Sequence, residues 1–218
     1  MSDFSERRRI MVDTQVRPSD VTSYPIINAM LRVPREIFVP DTSRDLAYMG
    51  EHIFFDNNKR VILDPRTLAK MLECIHFVGT ELVLDVGGGY GYSSAIAASN
   101  SQAVVLLESV EECIAEAPVL LSDIGVDNVV IQEGDLSRGA PELGPYDAML
   151  IQGGVGVLPE ALTDQLKEGG RIVALFMENG LGSVRLGYKI LGDVTWRYAF
   201  NAAAPILEGF ERKREFTL

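Results

Sequence analysis

The chain has 218 residues, a length that fits one domain with a large core of its own. Apolar residues make up 47% and charged residues 23%, an ordinary globular composition, and 20 Lys and Arg against 31 Asp and Glu leave a net charge of −11. That balance speaks against nonspecific binding to nucleic acid or an anionic membrane surface, both of which need a basic face.

No apolar run approaches the ~20 residues of a membrane span, and the N-terminal stretch lacks the apolar run of a secretory signal. Two cysteines, Cys74 and Cys113, are too few for a disulfide framework. A cytoplasmic setting with reduced thiols is therefore expected.

Apolar residues recur at helical spacing through residues 1–80. A helix is predicted over 6–16, ended by Pro18, with Arg7, Arg8 and Arg9 on a solvated face. Ser19 or Asp20 can cap a second helix through Ile26, Ile27, Met30 and Leu31. Val33 to Pro40 reads as a short turn-and-strand piece between prolines. Residues 49–64 read as irregular, with Asn57-Asn58 as turn formers, and Pro65 opens a helix over 66–77.

From residue 81 short apolar runs alternate with helical stretches. Strands are predicted at 82–84, 103–107, 129–131, 148–151 and 171–176, and helices at 91–98, 109–121 and 159–167. This alternation predicts an α/β fold with a mostly parallel, doubly wound sheet. Runs at 184–191 and 195–200, joined by Gly192-Asp193, predict an antiparallel hairpin that ends it. Residues 1–80 and 81–218 are expected to form one compact domain.

The strongest local signal is Leu82 to Gly91, where a strand runs into Gly87, Gly88, Gly89 and Gly91 and a helix starts at once. Glycines permit positive φ and close approach of a ligand to the main chain. In open α/β sheets, ligands sit at the carboxyl ends of the strands, where this loop must lie. The dinucleotide fingerprint fails at Tyr92 counted from Gly87 and passes weakly at Ser94 counted from Gly89, so a nicotinamide cofactor remains a distant alternative. Asp85, two residues before Gly87, completes the acid-x-Gly-x-Gly-x-Gly pattern of S-adenosylmethionine-dependent methyltransferases, and an acid there suits a cationic ligand. Glu108 ends the next strand and is placed to accept both ribose hydroxyls. Asp135 is a candidate acceptor for the adenine amino group, or a loop cap. Gln152 either lines the cleft or sits in a turn, and Asp147 reads as structural.

These residues resemble the protein-L-isoaspartate (D-aspartate) O-methyltransferase family. The resemblance runs from Met11-Val12 and Gln15-Val16-Arg17 through Val33-Pro34-Arg35-Glu36-Ile37-Phe38-Val39-Pro40 and Ala47-Tyr48. It continues at Gly91-Tyr92, Tyr146-Asp147-Ala148 and Leu166 to Arg171. It implies a Rossmann-like methyltransferase fold in which 1–80 forms the helical, acceptor-side region and 81–218 holds S-adenosylmethionine. It also implies methylation of the carboxylate of L-isoaspartyl residues in damaged proteins.

The chain departs from the family at its Gly-x-Gly-Gln-Thr-Ile-Ser-Gln-Pro motif. Aligned back from Pro65, Arg60 stands for the glutamine, Val61 for the threonine and Leu63 for the serine near the transferred methyl. Both hydroxyls are gone. A carboxylate acceptor is already ionised at neutral pH and needs no general base, which suits a chain with only two histidines, His52 and His76. Lys59 or Arg60 could supply the positive charge that holds it, Arg60 with two prongs. Other readings keep the cofactor and change the carboxylate acceptor, or keep binding without turnover. Restoring Thr at 61 and Ser at 63 is expected to raise isoaspartyl activity.

Overall fold

The computed structural model describes residues 3–212. Helix α1, Phe4–Met11, starts where the Asp3 carboxylate accepts from the amides of Ser5 and Glu6. The predicted single helix changes at Met11 into a π-helical stretch, Val12–Val16, and a 3-10 turn at Arg17–Ser19. Asp20 is left-handed rather than a cap, and α2 begins later, at Tyr24–Arg32, with Pro25 in its first turn.

The segment between prolines is not a strand. It forms a 3-10 turn, Arg35–Ile37, whose Arg35 side chain is fully buried and donates to the carbonyls of Ala47 and Leu63. The stretch read as irregular contains a small antiparallel hairpin, β1 Ile53–Phe55 and β2 Arg60–Ile62, turning through Asp56, Asn57 and Asn58 at positive φ. Helix α3, Pro65–Ile75, is capped by Asp64, which accepts from the Thr67 amide.

The main sheet is built from β3 Leu82–Val86, β4 Ala103–Glu108, β5 Val129–Glu133, β6 Tyr146–Val155, β7 Leu166–Glu178, β8 Leu181–Ile190 and β9 Asp193–Asn201. Their order is β5-β4-β3-β6-β7-β8-β9. The first five run parallel, and β8 and β9 are antiparallel. The helices between them are α4 Tyr92–Ala98, α5 Glu111–Asp123 and α6 Glu160–Asp164. The last is shorter than its pattern predicts because β7 takes over at Leu166.

Alternating strand residues feed two cores, as a sheet covered on both faces requires. Val83, Val104, Leu150 and Val173 join a cluster with α2, α3, α4 and α5. Leu84, Val105, Met149 and Ile172 join another with Leu162 of α6 and with Leu207 and Phe210 of the C-terminal segment. The first cluster includes Ile26, Met30 and Leu68 from the N-terminal region, so one core spans both halves of the sequence.

After β5 the chain crosses back to lay β6 against β3. The crevice beyond the carboxyl ends of β3 and β6 is therefore the switch point of the sheet. Among the described residues, no helix is long and apolar enough to cross a membrane.

Candidate functional site

The glycine loop leaves β3 at this switch point. Gly87, Gly89 and Gly91 all have positive φ. Gly88 does not, and its reason is space: a Cβ there would stand 2.6 Å from an Asp85 carboxylate oxygen and 2.5 Å from Leu106. Gly91 faces Leu121 of α5, so it permits helix packing rather than ligand approach.

Asp85 does not stand open beside a ligand. Its side chain is fully buried; Oδ2 accepts from the hydroxyls of Ser93 and Ser94 at 2.6 Å each, and Oδ1 accepts from Gln152 Nε2 at 2.8 Å. Burial pushes its carboxyl up, against the pull of those three donors. Asp85 thus anchors the start of α4 to β6. Gln152 is neither in a turn nor open to the cleft: it is a buried strand residue and holds Asp85 in place.

Glu108, at the end of β4, is the centre of the site and is already filled. Arg60 reaches it from β2 with two prongs, Nη1 to Oε1 at 2.6 Å and Nη2 to Oε2 at 2.8 Å. The Gly89 amide donates to Oε2 at 2.8 Å, and the Ser109 and Val110 amides donate to Oε1. A carboxylate offers about four lone-pair sites, and here five donors use them. Burial pushes Glu108 up, but Arg60's bonds and charge and the two backbone amides outweigh it and hold the carboxyl below its ordinary range. Arg60 Nη2 also donates to the Gly87 carbonyl at 2.8 Å, and it lies 2.9 Å from where a Gly87 Cβ would be. The guanidinium fills the cradle that the glycine opens. As the chain stands, the ribose hydroxyls of a nucleoside cofactor do not fit Glu108, because Arg60 is there.

Arg60 is therefore not a free cation awaiting an acceptor carboxylate, as its charge alone suggested. The hairpin brings a second side chain to the loop. The Phe55 ring lies 5.4 Å from the Arg60 guanidinium and 5.6 Å from the Tyr90 ring, and it is the nearest neighbour a Gly89 Cβ would meet. Leu63 and Val61, expected near the transferred methyl, are buried in the core that spans both halves of the sequence and line neither cleft.

Outside the filled cradle lies a cleft of about 1170 Å³. Lys59, Arg60 and the acids Asp56, Glu111, Glu112, Asp135, Glu208 and Glu211 line it. Asp135 is half exposed; the Ser137 hydroxyl and amide donate to Oδ1 and hold its carboxyl low. Sequence patterns did not locate the outer wall. Residues 205–211 return across the end of β6, where the Gly154 amide donates to Pro205, Leu207 to Gly154, and Gly156 to Phe210. The signal was present as the run Gly153, Gly154 and Gly156, where added Cβ atoms would meet this segment within 3.0 Å. Residues 213–218, part of the C-terminal stretch without a family match, lie outside the described residues.

A second cleft of about 480 Å³ opens between α3 and the chain after β9, lined by Gln15, His52, Asp64, Arg66 and Asn201 among others. His52 is a tie rather than a base. Its Nδ1 accepts from the Asp64 amide at 2.9 Å, so Nε2 is the donor to the Ala203 carbonyl at 2.7 Å. Arg8, expected on a solvated face, instead donates to Tyr48, to Glu36 and to the carbonyls of Leu31 and Arg32. Asp147 is structural, accepting from the Leu82 amide and Lys167. Cys74 and Cys113 are free thiols in helices, Cys113 buried.

A family model described as Protein-L-isoaspartate(D-aspartate) O-methyltransferase matches residues 6–186. Protein-L-isoaspartate O-methyltransferase 1 of Rhodopseudomonas palustris is 36% identical over 172 residues, covering 79% of this chain and 70% of the relative. Protein-L-isoaspartate O-methyltransferase 2 of Marinobacter nauticus is 37% identical over 171 residues, covering 78% of each. Two solved structures share the fold. One protein-L-isoaspartate O-methyltransferase has a TM-score of 0.80 at 24% identity, covering 94% of this chain and 67% of that one. Another, from Plasmodium falciparum in complex with S-adenosyl-L-homocysteine, has a TM-score of 0.77 at 19% identity, covering 95% and 99%.

Proposed function

Because the chain belongs to the protein-L-isoaspartate(D-aspartate) O-methyltransferase family, we propose that it is an S-adenosylmethionine-dependent O-methyltransferase acting on a protein or peptide carboxylate, that of an L-isoaspartyl residue first. The observation that carries this reading is the acid and glycine loop at the sheet's switch point, with Glu108 at the end of the neighbouring strand and Asp135 on the cleft wall. The acids lining the larger cleft suit a cationic donor. His52, the one histidine lining either cleft, has both ring nitrogens committed to backbone groups. An acceptor that needs no base, such as a carboxylate, suits that arrangement. The second cleft, where Arg66 supplies a cation and Asn201 an amide, is the side from which we place the acceptor's approach.

A second reading rests on Val61 and Leu63, whose side chains are core rather than polar. It keeps the methyl donor and changes the carboxylate, or keeps binding without repair. Methyl transfer from labelled donor to an L-isoaspartyl peptide, measured beside its normal aspartyl twin, separates these. Base-labile label on the isoaspartyl peptide alone is the expected result. Donor binding with no label on either peptide favours the second reading.

A further inference from the structure

We propose that Arg60 is a built-in competitor for the cofactor, holding the ribose-binding carboxylate of Glu108 closed until its guanidinium withdraws. The inference rests on the reading of this cleft as the methyl donor's site. Four observations converge on it. The pair is two-pronged and buried, with side-chain exposures of 5% for Arg60 and 0% for Glu108. It leaves Glu108 no acceptor capacity for a diol. The same guanidinium fills the space over Gly87 and bonds its carbonyl, so it blocks the approach as well as the acceptor. Its Nε has no partner although it is buried, which marks the pose as incompletely satisfied.

The latch is carried by a short element outside the main sheet. Strand β2 has three residues, pairs only with β1 and is separate from the main sheet. Glu108, Gly87 and Gly89 belong instead to β4 and to the loop leaving β3, and both are interior strands of the seven-stranded sheet. Binding would therefore displace the side chain from β2 rather than remodel the cradle. The released guanidinium remains in a cleft lined by Asp56, Glu111, Glu112, Asp135, Glu208 and Glu211, which offer it new partners. The apparent affinity is the intrinsic affinity multiplied by the fraction of molecules with Arg60 withdrawn, so a closed latch weakens binding without altering any ligand contact.

The test is calorimetric titration of S-adenosyl-L-homocysteine into the full chain, with folding checked by circular dichroism. Arg60→Gln, which puts glutamine where the family carries it, should bind about tenfold more tightly than wild type. Arg60→Lys, a single-point contact instead of a fork, should fall between the two, and it keeps the test available if the glutamine variant does not fold. In a Glu108→Gln background the Arg60→Gln change should give no gain over Glu108→Gln alone, whereas general loosening of the hairpin would give the same gain with or without the carboxylate. Measurable binding that is unchanged or weakened in the folded Arg60 variants would overturn the latch alone. Absence of binding in wild type and both variants would overturn the methyl-donor reading, and the latch with it.

Discussion

At the scale of single residues, Arg60 and Glu108 carry most of the consequence. Removing one partner of a buried ion pair leaves the other uncompensated and typically costs about 3–5 kcal/mol. Arg60→Ala is therefore expected to lower the melting temperature of the ligand-free protein by roughly 6–20 °C, at ~2–4 °C per kcal/mol for a chain of this size. The effect should depend on pH. The folded carboxyl of Glu108 is depressed, so its contribution is present above the ordinary carboxylate range and fades as pH falls through the lower folded value. Asp85 acts in the opposite sense: its folded carboxyl is raised, so its contribution is present at low pH and is lost as pH rises. Thermal melts from acid to neutral pH should show the gap between wild type and Arg60→Ala narrowing toward acid; a gap independent of pH would contradict the pairing. The types of Asp85, Glu108 and Asp135 were legible from their spacing about the glycines. Their states were not. Arg60 and Glu108 are 48 positions apart, and no local pattern joins a loop cation to a strand-end acid.

At the scale of elements, the parallel strands were readable because strands buried on both faces are continuous apolar runs. The small hairpin of β1 and β2 was not, since three-residue strands show too few alternations to reveal a period of two. Nor was the return of residues 205–211 to the end of β6, a pairing of backbone groups far apart in sequence. The glycines that admit it give a direct test. A Cβ on Gly154 would stand 2.7 Å from the Ala204 carbonyl oxygen, a backbone atom with little freedom to move. Gly154→Val should displace the segment, lower stability by about 1–3 kcal/mol through overpacking and speed limited proteolysis near residues 204–210. Wild-type protease resistance in that variant would show that the segment is not held by this contact.

At the scale of the whole molecule, the chain joins a conventional sheet and cradle to an unconventional occupant. The N-terminal region covers one face of the sheet and supplies the hairpin whose Arg60 reaches the glycine loop, so the two halves of the sequence meet at Gly87 and Glu108. The family resemblance was legible in 33–40 and in the glycine loop, and the matched region, residues 6–186, includes both. What Arg60 does was not, because its guanidinium pairs with a carboxylate contributed by the other half of the chain.

The most direct single measurement is the initial rate of methyl transfer to an L-isoaspartyl peptide as donor concentration is raised, for wild type and Arg60→Gln side by side. Base-labile product is expected from the isoaspartyl peptide and not from its aspartyl twin, with Arg60→Gln reaching half its maximal rate at a lower donor concentration. No product from either protein at saturating donor would contradict the isoaspartyl methyltransferase reading.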